Sequence, residues 1–400
     1  MSALRQTCTV CCLLLALACV PAVAGELEMP ALTSALSYEQ TRDRAAFIAL
    51  VKKARQGDAE AQWEVGSTYV RLGDPARAVP MLQSAAAASQ SRAAVLLASL
   101  YEDGLGTAKS LEEALRWYRF AAEHGQPEAM AALGRLMLLE SGPEAREAAW
   151  NWLHQSASLG NRDGQYHLGW LLAQPGAAYD DKQAFQWFLK AAAQGHVGAQ
   201  IAAASQLLAG KGVARDQQAA AGWLERAAAT LDPVANYLLG HLREAEGPAA
   251  RDKARDAYRI AAVAGHREAC FALAEMLVGS PAAADRKEAV ELFTKANEGG
   301  HRAAANRLGE AYRDGVGVAP QLVTAKDYFQ FAANQGDAKA MYNLARMQNE
   351  GLGGPRDTRQ ALEWYAKAAE QGHDGAATVV KGLLNSSVKT SALGLKGFWQ

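Results

Sequence analysis

A segment of 32 to 36 residues recurs along most of this 400-residue chain, and that period restricts its fold more than any other feature. A unit of this length cannot bury its apolar face alone, so neighbouring units must stack on one another. We therefore predict nine complete repeats over residues 57–371, forming one long repeated structure. The pattern restarts at ten positions, which we call anchor residues: Gly57, Ser89, Gly125, Gly160, Gly195, Leu231, Gly265, Gly300, Gly336 and Gly372.

Each unit contains two apolar patterns with helical spacing. In the first, alanine four residues after the anchor and an apolar residue eight after it share one helix face. In the second, six units carry a large aromatic residue eight positions before the next anchor, and the anchor glycine is expected to end the helix. The ninth residue after the anchor is small and should let a neighbouring helix approach closely. It is glycine in five units: Gly66, Gly134, Gly169, Gly240 and Gly309.

The runs "LASLYEDGLGTAKSLEEALRWYRFAAEHG" and "LARMQNEGLGGPRDTRQALEWYAKAAEQGH" resemble the Sel1-like repeat, a relative of the tetratricopeptide repeat. The resemblance implies an all-α fold, a right-handed α-solenoid of helix-turn-helix repeats. Four units keep the Gly-x-Gly turn of the family, as at Gly104 and Gly106, whereas the others have shorter or proline-bearing links. Binding that relatives carry on those turns therefore does not transfer to the whole chain.

Residues 1–24 have the pattern of a secretory signal peptide. Arg5 is followed by an apolar run that is too short to span a bilayer, and Ala22 and Ala24 supply the small residues that a signal peptidase requires. An alternative makes Cys19 the lipidated first residue of an outer-membrane lipoprotein, although the residues before it reverse the usual order of leucine and small residue. No later stretch is long and apolar enough to predict a membrane span.

The segments that flank the repeats are short. They are predicted as a linker at 25–37, an N-terminal capping helix at 38–56, a C-terminal capping helix at 372–384 and a flexible tail at 385–400.

The residue types that most often carry chemistry do not form a catalytic pattern here. Four histidines (His196, His266, His301 and His373) each follow an anchor glycine, so they lie one repeat apart and cannot converge on one metal ion. We interpret them as helix-ending residues of the repeat. Cys270, the one cysteine beyond the leader, is expected to be a buried or half-buried thiol. We predict no catalytic, metal or cofactor site.

The remaining candidates lie in a row at the tenth residue after the anchor. In tetratricopeptide-like stacks the first helix of each pair lines the concave side, so this row is predicted to face a partner. Trp170 is its one large aromatic, and tryptophan is enriched at the energetic centres of interfaces; the alternative is that it fills a packing gap. The candidate partner-binding residues are Trp170, Arg135, His241, Glu275, Glu310 and Arg346.

These features predict a non-enzymatic protein–protein interaction scaffold in the periplasm, with partners among envelope proteins. The resemblance implies roles in assembly, polysaccharide export or signalling. A net charge of -1 argues against nucleic acid as a partner, because binding phosphates needs a surplus of basic side chains. The alternatives are a secreted factor that binds a host protein and a β-lactam-binding or hydrolysing enzyme. The enzyme is disfavoured because such relatives carry a cysteine pair in each repeat. The oligomeric state stays open.

Overall fold

The computed structural model describes residues 40–140, 142–175 and 179–387, with side chains described between 46 and 382. The predicted leader and linker, and residues 388–400 of the predicted tail, lie outside the described residues. The described regular structure consists of twenty α-helices and one short 3-10 helix, Pro248–Ala250. Chain contacts divide the protein into unit 1, up to Ala220, and unit 2, from Ala221.

The helices are short and follow one another closely. Unit 1 contains α1 (Gln40–Arg55), α2 (Ala59–Arg71), α3 (Pro75–Ala87), α4 (Ser91–Asp103), α5 (Leu111–Glu123), α6 (Pro127–Met137), α7 (Pro143–Ser158), α8 (Arg162–Ala173), α9 (Asp181–Ala193) and α10 (Val197–Ala209). Helix α11 (Gln217–Ala228) contains the boundary between the units. Unit 2 continues with α12 (Pro233–Ala245), α13 (Arg251–Val263), α14 (Arg267–Val278), α15 (Ala283–Glu298), α16 (Ala304–Asp314), α17 (Leu322–Asn334), α18 (Ala338–Glu350), α19 (Thr358–Glu370) and α20 (Asp374–Ser387).

Within each unit, the two helices of a repeat pack on each other, and the second packs on the first helix of the next repeat. This consecutive packing confirms the predicted all-α solenoid of helix-turn-helix repeats. At the ends, α1 packs on α2 and α20 packs on α19; α20 continues to Ser387, inside the segment predicted as tail. Over the part of the chain described, no helix combines the length and the apolar character needed to cross a membrane.

The anchor residues end the second helices in the left-handed backbone conformation, as predicted for glycine. The φ angle is +81° at Gly125 and +89° at Gly336. The two anchors that are not glycine hold the same conformation, with φ of 65° at Ser89 and 60° at Leu231. Because this region costs an L-residue about 1–2 kcal/mol, stacking of the repeats imposes the turn even where the sequence disfavours it.

In all described repeats but one, the residue after the anchor begins the next helix; His301 is the exception, because the N-cap of α16 is Ala303. Asp58 and Asp337 accept a hydrogen bond from the backbone N–H three residues further on, at 2.8 Å in both cases. Three histidines do the same with Nδ1, at 3.0 to 3.2 Å. The interpretation of these histidines as helix-ending residues is therefore wrong. At these three positions the anchor ends one helix, and the histidine after it is the N-cap of the following one. The three capping histidines are His196, His266 and His373.

The small ninth residue brings the two helices of a repeat together, as predicted. A Cβ placed on Gly134 would lie 2.4 Å from Leu153 Cγ, and one on Gly309 would lie 2.6 Å from Phe329 Cε1. Leu153 and Phe329 belong to a buried row seven residues before the next anchor, one position after the tryptophans emphasised by the sequence. All members of this row are buried: Leu82, Tyr118, Leu153, Phe188, Leu224, Tyr258, Phe293, Phe329 and Tyr365.

Candidate functional surface on the first helices

Arg135, near the end of α6, contacts the preceding repeat. Its Nη2 atom lies 2.5 Å from Glu102 Oε1, and the hydroxyl of Tyr118 donates to Glu102 Oε2 at 3.0 Å. Burial, reinforced by the Glu102 charge, raises the pKa of Tyr118 above its ordinary value, so the phenol stays a neutral donor. The Arg135 guanidinium therefore already has a partner within the chain, and it joins two repeats.

Trp170, near the end of α8, is the large aromatic that the sequence singled out, and 42% of it is exposed. The residue before it, Gly169, lies against Phe188, where an added Cβ would come within 2.9 Å of the ring. The side chain of Arg146 donates to the carbonyl oxygens of Leu171 and Gln174, both at 3.3 Å. The end of α8 thus contacts Phe188 and is hydrogen-bonded by Arg146, so the backbone that carries the exposed indole is fixed.

Glu275 and Glu310, on α14 and α16, share one arginine. The Nε and Nη2 atoms of Arg307 lie 2.6 and 2.5 Å from the two carboxylate oxygens of Glu275. Its Nη1 atom lies 2.8 Å from Glu310. Asn343 donates to Asn306 at 3.0 Å and extends the network to the next repeat. Asn343 also donates to Glu310 Oε1, at 3.4 Å, so both glutamates of the predicted row are engaged in contacts between repeats.

The other two candidates of unit 2 differ in their surroundings. His241, on α12, is exposed. Arg346, on α18, is half-buried, and its Nε is a buried atom without a hydrogen-bond partner among the described residues. The predicted row therefore contains residues engaged by neighbouring repeats and residues that still face solvent, of which Trp170 offers the largest apolar group.

The histidines after the anchors also stack on an aromatic residue of the preceding first helix, a contact that was not predicted from the sequence. The ring centroids lie 4.3 Å apart for Tyr166 and His196, and 4.0 Å apart for Phe271 and His301. Burial lowers the pKa of His196 and favours the neutral ring that caps α10. The sequence does carry a signal for this contact, because each of these aromatic residues follows its anchor by six positions. Among the described residues, no three His, Cys, Asp or Glu side chains are grouped closely enough to hold a metal ion.

Cys270 is buried, with 1% of its surface exposed. Its Sγ atom lies 3.7 Å from the carbonyl oxygen of Ala262. At the equivalent position of other repeats, Gln165 and Gln200 donate to the corresponding carbonyl at 3.3 and 3.2 Å. Burial raises the pKa of the thiol, which disfavours the reactive thiolate. Cys270 therefore occupies a structural position in the stack.

Comparison with known proteins gives relatives of several kinds. An exopolysaccharide production negative regulator of Rhizobium meliloti is 33% identical over 141 residues, which cover 32% of this chain and 53% of the relative. An uncharacterised protein of Neisseria meningitidis is 31% identical over 296 residues, covering 65% of this chain and 61% of the relative. The chain thus spans between half and two thirds of the length of these curated relatives.

Solved structures with the same kind of repeat include a protective antigen of uropathogenic Escherichia coli. It is 24% identical, and the match covers 85% of this chain and 90% of that chain with a TM-score of 0.47.

The Sel1 repeat itself matches seven segments: residues 91–126, 127–161, 162–196, 198–229, 267–301, 302–337 and 338–373. These segments cover more than half of the chain, and the protein therefore belongs to the Sel1 repeat family.

Proposed function

We propose that this protein is a non-enzymatic adaptor in the periplasm, which holds a protein of the cell envelope against its first helices. Sel1-repeat proteins mediate protein–protein interactions, and relatives of this chain include regulators of exopolysaccharide production in two Rhizobium species. The observation that carries the proposal is Trp170, an exposed indole on a helix end that neighbouring residues hold in place.

The energetics favour Trp170 over the charged members of the row. An exposed indole gains free energy when a partner removes it from water, and it loses little conformational entropy because it has only two side-chain torsions. Arg135 and Glu275 would have to exchange existing ion pairs for new ones, with a small net gain. We expect Trp170 to contribute most of the binding free energy on this surface.

Capture of partners by tagged full-length protein from cross-linked cell envelope tests the proposal. Trp170→Ala should lower recovery of a stoichiometric partner at least about tenfold, while the thermal midpoint changes little. Phe331→Ala is the matched control, because Phe331 is 48% exposed but lies on α17, the second helix of its repeat. Equal recovery with both variants would contradict the proposed surface, and a large fall in the midpoint of Trp170→Ala would assign the indole to the core.

The predicted leader supports the periplasmic location, and cell fractionation tests it separately. We expect the protein in the periplasmic fraction, whereas recovery from the growth medium would favour the secreted alternative. Incorporation of labelled palmitate that disappears in Cys19→Ser would show a lipoprotein.

A further inference from the structure

A cleft of about 330 Å³ opens between the sixth and seventh repeats, entirely within unit 2. The sixth repeat has no Gly-x-Gly turn, and its two helices are joined through Gly247 and the 3-10 helix Pro248–Ala250. The lining combines two carboxylates, one guanidinium and apolar groups: Glu244, Gly247, Pro248, Arg251, Glu275 and Met276.

The equivalent position in unit 1 is occupied by an arginine of the chain itself. Glu102 is the thirteenth residue after its anchor and accepts a hydrogen bond from Tyr118, the residue seven before the next anchor. Its other carboxylate oxygen pairs at 2.5 Å with Arg135, the tenth residue of the following repeat. Glu102, which is oriented by Tyr118, thus forms a binding site for a guanidinium group, which we call the guanidinium site.

The sixth repeat contains the same glutamate and tyrosine at this position, but no arginine in the part of the chain that the structure describes pairs with the glutamate. Glu244 is again the thirteenth residue after its anchor, and the hydroxyl of Tyr258, seven before the next anchor, donates to its Oε2 at 2.8 Å. The position of Arg135 is taken by Glu275, which pairs with Arg307 of the repeat beyond. Within the described residues, no lysine or arginine nitrogen forms an ion pair with Glu244.

We propose that this cleft binds an arginine side chain of the partner protein, with its guanidinium on Glu244 as Arg135 lies on Glu102. Pro248 and Met276 provide apolar surface for the aliphatic part of the side chain. Arg251 does not occupy this guanidinium site, because its Nη2 atom donates to the carbonyl oxygen of Met276, at 3.4 Å. The planar guanidinium suits a carboxylate better than an ammonium does, so the site selects arginine over lysine. This inference rests on the proposed adaptor function and names the chemistry of one contact.

Saturation-transfer NMR with N-acetylarginine methylamide and the full chain tests the site. N-acetylcitrulline methylamide, which has a similar shape and no charge, should give little transfer. Glu244→Gln should weaken arginine binding roughly fivefold, the upper range for a partly exposed ion pair. Glu112→Gln, at an exposed glutamate of α5 in unit 1, is the control and should leave binding unchanged.

Glu275→Arg gives a second test, because it places an arginine of the chain at the register position that Arg135 has in the third repeat. We expect this variant to exclude the arginine probe while keeping its helical circular dichroism. Equal transfer to the arginine and citrulline probes, or arginine binding that neither variant changes, would overturn the inference. Partner capture that depends on Trp170 but not on Glu244 would leave the proposed function intact and remove only the arginine site.

Discussion

Gly134→Ala tests the close approach on which the stacking of helices depends. A Cβ at this position would lie 2.4 Å from Cγ and 2.7 Å from Cδ2 of Leu153, and 3.1 Å from the carbonyl oxygen of Ala149. Leu153 is fully buried, so its branch carbon has no free space into which to move. We therefore expect α6 and α7 to separate or Leu153 to adopt a strained rotamer.

Two effects of opposite sign contribute to the free energy of unfolding. Overpacking a well-packed site costs about 1–3 kcal/mol, and replacing glycine by alanine inside a helix gains about 1 kcal/mol. Gly222→Ala is the matched control, because Gly222 also lies within a helix but a Cβ there would meet no atom within 4 Å. Helix propensity is common to both variants, so Gly134→Ala should be less stable than Gly222→Ala by about 1–3 kcal/mol.

Urea denaturation followed by circular dichroism gives the comparison, provided that the slope of the transition stays constant. Leu153→Ala should cost less stability in the Gly134→Ala background than in the wild-type protein, because in that background it also removes the clashing atoms. The coupling free energy should be about 1–3 kcal/mol. If Gly134→Ala and Gly222→Ala are equally stabilised, the close approach of α6 and α7 is wrong.

Three further predictions concern single residues. The Cys270 thiol, buried with a raised pKa, should react with a thiol reagent only after unfolding; rapid labelling of native protein would contradict its burial. Burial and the nearby charge of Arg135 lower the pKa of His167 to about 4. The folded state therefore favours the neutral ring. The free energy of unfolding should be highest above about pH 6.5 and should fall by up to about 3 kcal/mol towards pH 4. In His167→Gln the urea midpoint should fall less between about pH 6.5 and pH 4 than in the wild-type protein. An unchanged pH dependence would exclude His167 as the cause. Leu231→Gly should raise the free energy of unfolding by about 0.5–1 kcal/mol, because glycine adopts the left-handed anchor conformation without strain. A lower free energy of unfolding would show that the exposed leucine packs.

The periodicity of the sequence predicted the helices, the anchors and the close approach of Gly134 and its equivalents, because each depends on local spacing or on backbone conformation. The N-cap role of His196 was missed, since the turn is so short that one residue ends a helix and the next begins another. Asp58 and Asp337 at the same register position carried the signal, because aspartate is a preferred N-cap residue.

The pairing of side chains across repeats was harder to foresee. Arg135 meets Glu102, which is 33 residues away, and Glu275 meets Arg307, which is 32 residues away. These distances are close to one period, but the partner is chosen by rotamers and by the neighbouring charges rather than by spacing. A list of polar residues at one register position therefore could not separate side chains with internal partners from exposed ones such as Trp170.

Site-specific photo-cross-linking in living cells tests the adaptor function most directly. A photoreactive phenylalanine analogue would replace Trp170 in one variant and Phe331, which is exposed on a second helix, in the other. If the adaptor function is correct, position 170 should give a discrete cross-linked envelope protein that is absent from position 331. The absence of a product at 170, or the same products from both positions, would contradict it.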